Sequence, residues 1–205
     1  MSFGKNEMNR FCCWSLLFLS GCTTPNWSVT HHYDEFTNSK ICRVELGTEF
    51  TRGMKRSLLK AYATYNFYAE NNNGQVRAGI RTEPFFPIYG DIQILVGGKL
   101  YTITSEDTPL DTAPTVPIDT RYIEETMGKE YAETIQGMSN NILKLNSPYR
   151  AYTGQKAFAL LRDMSNTPSK IKFRVVGVNA AVSGKGSFFV GDDFKAALKK
   201  CRVNL

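Results

Sequence analysis

The residues Ile171-Lys172-Phe173-Arg174-Val175-Val176-Gly177-Val178 read as the clearest strand in the chain. A side-chain period of two marks a strand with one face buried. Ile171, Phe173 and Val175 make one face; Lys172, Arg174 and Val176 make the other. Ser183-Gly184-Lys185-Gly186 reads as a turn into a second strand, Ser187 to Val190. A short helix ends the chain, with Phe194, Ala197, Leu198 and Cys201 at i, i+3, i+4 and i+7 on one side. Asp192 or Asp193 can cap its start, and Lys199 and Lys200 suit its negative end.

Working back towards the N-terminus, helical spacing precedes this unit. Ile123, Met127, Tyr131, Ile135, Met138, Ile142 and Leu145 put one apolar stripe on a helix of about six turns, which Gly128 or Gly137 can break and Pro148 stops. A shorter helix spans about Gln155 to Met164. Ser105 to Thr120, with Pro109, Pro114 and Pro117, reads as a long exposed loop. Earlier still the pattern is strand: Asp91 to Val96 and Lys99 to Thr104 joined by Gly97-Gly98, and Gln75 to Thr82 after the turn Asn71-Asn72-Asn73-Gly74. Lys55 to Tyr68 fits either element, and its aromatic content favours strand. Val29 to Leu46 is strand-like, with a turn at Thr37-Asn38-Ser39. Strands, then helices, then a hairpin and a helix imply an α+β fold: an antiparallel sheet or sandwich packed by one long and two short helices.

The first residues are of another kind. Met8 to Cys22 runs Met-Asn-Arg-Phe-Cys-Cys-Trp-Ser-Leu-Leu-Phe-Leu-Ser-Gly-Cys. A basic residue, a short apolar run and small residues before a cleavage point form a signal peptide pattern, too short for a permanent span. The ending Leu19-Ser20-Gly21-Cys22 resembles the bacterial lipoprotein signal. That resemblance implies cleavage before Cys22, a diacylglyceryl thioether on its sulfur and an acyl chain on its new amine. Thr23, where an inner-membrane lipoprotein would carry Asp, implies the outer membrane. The expected organisation is a signal peptide over 1–21, a lipidated tether over 22–28 and a single domain over 29–205. Met1 or Met8 can start the chain.

The cysteines fit that address. Cys12 and Cys13 leave with the signal and Cys22 takes the lipid, so Cys42 and Cys201 remain. An even pair in an oxidising compartment reads as one disulfide. Closing a loop of about 160 residues is worth roughly 5 kcal/mol on the chain-entropy estimate. Removing Lys5, Arg10 and Glu7 lowers the formal charge from +6 to +5. That mild excess favours anionic partners through a field that salt screens. Outside the cytoplasm nucleic acid is not an expected partner.

Candidate chemistry is sparse. Gly184-Lys185-Gly186 fails the Walker spacing, since six residues separate Gly177 from Gly184 and Gly follows the lysine. His31 and His32 are the only histidines. On a strand they point to opposite faces, so His32 and Asp34 offer at most two ligands where catalytic zinc needs three. No Gly-x-Ser-x-Gly occurs, and Glu124/Glu125 and Asp192/Asp193 read as helix N-terminal charges. No cofactor or metal is indicated. The most functional-looking group is a basic face of Arg77, Arg81, Lys172 and Arg174, a candidate anion site if their two strands lie together.

From Lys170 to the end, strand, glycine turn, strand and the phrase Phe189-Val190-Gly191-Asp192-Asp193-Phe194-Lys195-Ala196-Ala197-Leu198 resemble the invasion-associated locus B family of exported β-sandwich envelope proteins. The long helix and the lipid anchor depart from that pattern, so the resemblance implies the fold alone. The expected function is non-enzymatic binding or a structural role in the envelope, the membrane held through the lipid anchor and the partner a protein or glycan. The alternative is an envelope hydrolase acting on peptidoglycan or peptide, which requires a cleft gathering His32, Asp34 and a third acid or Ser.

Overall fold

A computed structural model describes residues 27–46, 64–83, 86–110 and 119–205. Among the described residues the fold is α+β, with two antiparallel sheets and four α-helices. One sheet has five strands in the order β1-β2-β3-β4-β7: β1 Trp27–Asp34, β2 Ser39–Leu46, β3 Thr64–Asn72, β4 Gln75–Glu83 and β7 Tyr149–Thr153. The other has four in the order β6-β5-β8-β9: β5 Asp91–Val96, β6 Lys99–Ile103, β8 Ser169–Val176 and β9 Val182–Val190. The helices are α1 Arg121–Met127, α2 Lys129–Leu145, α3 Gly154–Asn166 and α4 Asp192–Lys200. Among the described residues no helix is long and apolar enough to cross a membrane.

The alternation read from the sequence is what stacks the sheets. Ile171, Phe173 and Val175 of β8 and Ile92, Ile94 and Val96 of β5 share one core with Phe67 and Ala69 of β3 and Val76, Ala78 and Ile80 of β4. The apolar sides of α3, through Ala157, Leu160, Leu161 and Met164, and of α4, through Phe194, Ala197 and Leu198, complete it. At one edge Trp27 packs against Phe67, Phe188 and Phe194, with ring centroids 5.9, 5.7 and 4.6 Å apart. Cys42 on β2 and Cys201 after α4 are joined by a disulfide, with Cα atoms 5.2 Å apart.

Several sequence expectations are corrected. Gly184-Lys185-Gly186 is no turn; it lies inside β9, paired with Phe173 to Val175, and the reversal comes earlier, over 177–181. The glycines make room for rings: a Cβ on Gly184 would lie 2.7 Å from the Tyr65 ring, and one on Gly186 2.5 Å from that of Phe173. The tether expected over 22–28 loses its last two residues, because Trp27 and Ser28 begin β1 and pair with Leu46 and Glu45. The long helix does break, at Gly128, one of the two glycines where the sequence allowed it; φ there is 88°, with α1 and α2 on either side. Of the ambiguous stretch Lys55 to Tyr68, residues 64–68 are strand and 55–63 lie outside the described residues. The expected loop Ser105 to Thr120 starts as an ordered turn. Asp107 accepts from the Thr104 amide and hydroxyl and from Lys156, and Thr108 is buried. Residues 111–118 lie outside the described ones.

The strand β7, which the sequence reading left unassigned, carries the most unusual side chain of the core. Arg150 is fully buried. Its guanidinium donates to the carbonyls of Lys144 at 2.8 Å, Leu145 at 3.2 Å and Ser147 at 3.5 Å, which gather at the end of α2. It also reaches Gly90 at 3.2 Å, Tyr149 at 2.9 Å and Ile88. The last carbonyls of a helix have no partners within it and carry its negative end, so a cation suits them. Burial pushes the pKa of Arg150 down to about 10, so it stays charged at neutral pH. Arg150→Met should leave these carbonyls unpaired and lower the unfolding free energy by about 3 kcal/mol or more. Urea denaturation of the two proteins measures the difference.

Candidate functional site

The four basic residues singled out in the sequence do not form one face. Arg77 and Arg81 lie on β4 of the five-stranded sheet, whereas Lys172 and Arg174 lie on β8 of the other. The two pairs also have opposite electrostatic situations.

On the five-stranded sheet the cations are neutralised in place. Glu70 of β3 stands opposite Arg43 of β2 on one side and Arg77 of β4 on the other. Its carboxylate lies 2.6 Å from Arg43 Nη2 and 3.5 Å from Arg77 Nη1. Glu45 lies 2.9 Å from Arg81 and 3.5 Å from Arg43. Burial alone would depress the pKa of Arg43, but the charge and hydrogen bond of Glu70 outweigh it and raise the value. Beside them Tyr68 is buried edge-on to Tyr149, and burial first, then Glu70, pushes its hydroxyl well above the usual range. Arg77 and Glu70 are nearly inaccessible. This network ties three strands together and leaves Arg77 out of reach of a ligand.

On β8 and β9 of the four-stranded sheet the cations have no carboxylate partner among the described residues. Lys170, Lys172 and Arg174 occupy alternate outward positions of β8, and register sets Phe189, Ser187 and Lys185 of β9 directly opposite them. On the other side Leu95 and Gln93 of β5 face Lys172 and Arg174, and Leu100 of β6 faces Leu95. All of these side chains except Phe189, which shares the face, bound a shallow depression of about 570 Å³. Among the described residues four cations line it and no carboxylate does. None of the four enters an ion pair among the described residues; Arg174 Nε donates to Gln93 Oε1 at 2.7 Å. Like charges directly across a strand pair destabilise a sheet, and Arg174 and Lys185 are such a pair. Leu95, Leu100 and Phe189 are 41%, 54% and 62% exposed among them. The sequence reading found Lys172 and Arg174 but missed Lys170 and Lys185. Lys170 was signalled by the same alternation two residues earlier, while Lys185 was hidden by the turn-like glycines flanking it.

The histidines border a second basic cavity, beside the disulfide. His31, His32, Lys40, Lys200 and Arg202 line it, and His31 Nε2 lies 3.9 Å from Cys42 Sγ. Asp34 is not among the residues that line it. Its carboxylate accepts from the Phe36 amide at 2.9 Å and the Thr37 hydroxyl at 2.8 Å, bonds that close the β1–β2 hairpin and lower its pKa. Among the described residues no acid or serine lines that cavity. Among the described residues, no three of His, Cys, Asp and Glu gather as metal ligands. Cys22 lies outside the described residues.

The apolar stripe of the long helix turns away from the core. On α1 and α2, Met127, Tyr131, Met138, Ile142 and Leu145 of the stripe are between 45% and 61% exposed, and Ile123 and Ile135 are half-buried. The residues of α2 that are buried are Ala132 and Ser139, about a quarter turn round the helix from the stripe. Compared with known proteins, the chain matches no family model, no curated protein and no solved structure.

The contrast between the two sheets is testable by stability. Glu70→Gln should cost about 3 kcal/mol, because it leaves Arg43 and Arg77 beside a neutral group in a buried network. Lys172→Gln with Arg174→Gln should stay within about 0.5 kcal/mol of the parent, or stabilise it slightly. Equal losses in chemical denaturation would show that both pairs are structural.

Proposed function

We propose that the chain is a lipid-anchored protein of the bacterial cell envelope that works by binding, with a protein as its partner. Its address rests on Leu19-Ser20-Gly21-Cys22, with acylation at Cys22 and, from Thr23, placement in the outer membrane facing the periplasm. The disulfide between Cys42 and Cys201 is the chemistry of such an oxidising compartment. What supports binding is the stripe of α1 and α2. Contiguous apolar surface left in water marks an interaction site. Met127 and Met138 add adaptable contact, and Tyr131 adds an aromatic anchor. A protein groove suits this stripe better than a glycan does, because sugar hydroxyls would lose water against side chains that offer few hydrogen bonds in return. A helix of 17 residues laid in a groove is a recurring mode of protein recognition. Hydrolysis is the weaker reading, since Asp34 is engaged in its own hairpin and stands away from both histidines' cavity.

A photo-crosslinker placed at Tyr131 in intact cells should give one discrete protein adduct. Met138→Glu with Ile142→Glu should abolish the adduct and leave the melting temperature unchanged, because both positions face water. An adduct pattern indifferent to the two charges, or adducts only with glycan, contradicts the reading.

A further inference from the structure

We propose that the outer face of the β6-β5-β8-β9 sheet lies on an anionic lipid surface, with Lys170, Lys172, Arg174 and Lys185 at the headgroups and Phe189, Leu95 and Leu100 entering among them. The inference rests on the lipid anchor proposed above for its orientation, and on the described residues for its chemistry.

Charge complementarity comes first. Four cations stand on neighbouring positions of two paired strands, and among the described residues no carboxylate lines the depression between them. Along β8, alternate residues are about 6.6 Å apart, and across to β9 about 5 Å. Such a lattice of cations meets many headgroups at once and needs no single deep pocket. Isolated, it works against itself, since Arg174 and Lys185 repel each other across the strand pair. A negatively charged plane removes that repulsion. The apolar members belong to the same face: Phe189 pairs with Lys170, and Leu95 pairs with Lys172 and Leu100. Lysine stems lie along apolar surface while their ammonium groups stay at the polar level, so cations and apolar side chains reach different depths of one interface.

The second observation is where the chain enters the fold. β1 is the edge of its sheet and β9 the edge of the other, and Trp27 at the start of β1 packs on Phe188, next to Phe189. Four residues lie between Cys22 and Trp27, so the five Cα steps span at most about 18 Å when fully extended. An acylated Cys22 therefore holds the β9 edge of this face close to the bilayer. An acidic glycan or protein would satisfy the charges equally, but it would not explain why the anchor emerges beside this edge.

The test uses the mature chain from residue 22 with Cys22→Ser, so that no acyl chain contributes, and sedimentation with vesicles of phosphatidylcholine with or without phosphatidylglycerol. The protein should partition onto the phosphatidylglycerol vesicles and not onto phosphatidylcholine alone, and added salt should weaken binding. Each basic residue near an anionic surface is worth roughly fivefold, so Lys172→Gln with Arg174→Gln should weaken binding about 25-fold. Phe189→Ser should weaken it without changing the salt dependence. Equal partition onto both vesicles, or a double variant that binds like its parent, overturns the proposal. So does capture by dextran sulfate with no sedimentation on vesicles, which would assign the face to an acidic glycan. The two readings fail separately. Sedimentation of the Cys22→Ser chain alongside a wild type that is never membrane-bound in cells would sink the anchor alone. A membrane-bound wild type whose Cys22→Ser chain ignores vesicles would sink this proposal alone.

Discussion

The packing of Trp27 against Phe67, Phe188 and Phe194 is the contact on which the rest depends. Two sheets stacked face to face leave an open seam where their edge strands meet. Here those edges are β1 and β9, and one indole fills the seam by touching β3, β9 and α4. Burying an aromatic of this size is worth several kcal/mol, so the first described residue is also a keystone of the core. The disulfide reinforces the same corner, tying the end of α4 to β2, the neighbour of β1. Both ends of the described domain are fixed at one place, and the tether of the proposed anchor starts there.

That corner divides the molecule's charges into two populations. On the five-stranded sheet, acids and bases alternate across β2, β3 and β4, and each carboxylate serves two guanidiniums. The ions there are a structural ladder. On the outer face of the four-stranded sheet, β8 and β9 contribute four cations and β5 and β6 contribute leucines and a glutamine, and among the described residues no carboxylate pairs with those four; Lys99 at the start of β6 is apart, paired with Asp163. The surplus positive charge of the chain is thus partly organised, and the accessible share sits next to exposed apolar side chains. The helix α2 is separate again: it keeps its apolar stripe in water and rests on small residues.

Much of the architecture could be read from local pattern. β8 and the β5–β6 hairpin were legible because alternation and Gly97-Gly98 are signals contained within a few residues. The bridge was legible by elimination once Cys12, Cys13 and Cys22 were assigned. What could not be read depended on partners distant in the chain. β7 is five residues long and centres on an arginine whose place in the core exists only because the end of α2 and the loop before β5 offer it carbonyls. Gly184 and Gly186 carry the composition of a turn, yet they are glycine because Tyr65 and Phe173 lie over them. The same distance hid the site: alternation marked Arg77, Arg81, Lys172 and Arg174 equally, and only strand order separates the paired from the free. The helical stripe was read correctly as a stripe, but periodicity does not say whether a face meets the core or the solvent.

The most direct test of an exported, anchored chain is one intact-mass measurement on protein extracted from the membrane fraction and treated with a thiol alkylator before any reduction. A chain beginning at Cys22, heavier by a diacylglyceryl group and an acyl chain and carrying no alkylated cysteine, is the expected result. An unmodified chain that begins at Met1 or Met8, with its cysteines alkylated, would contradict the export, the anchor and the bridge together.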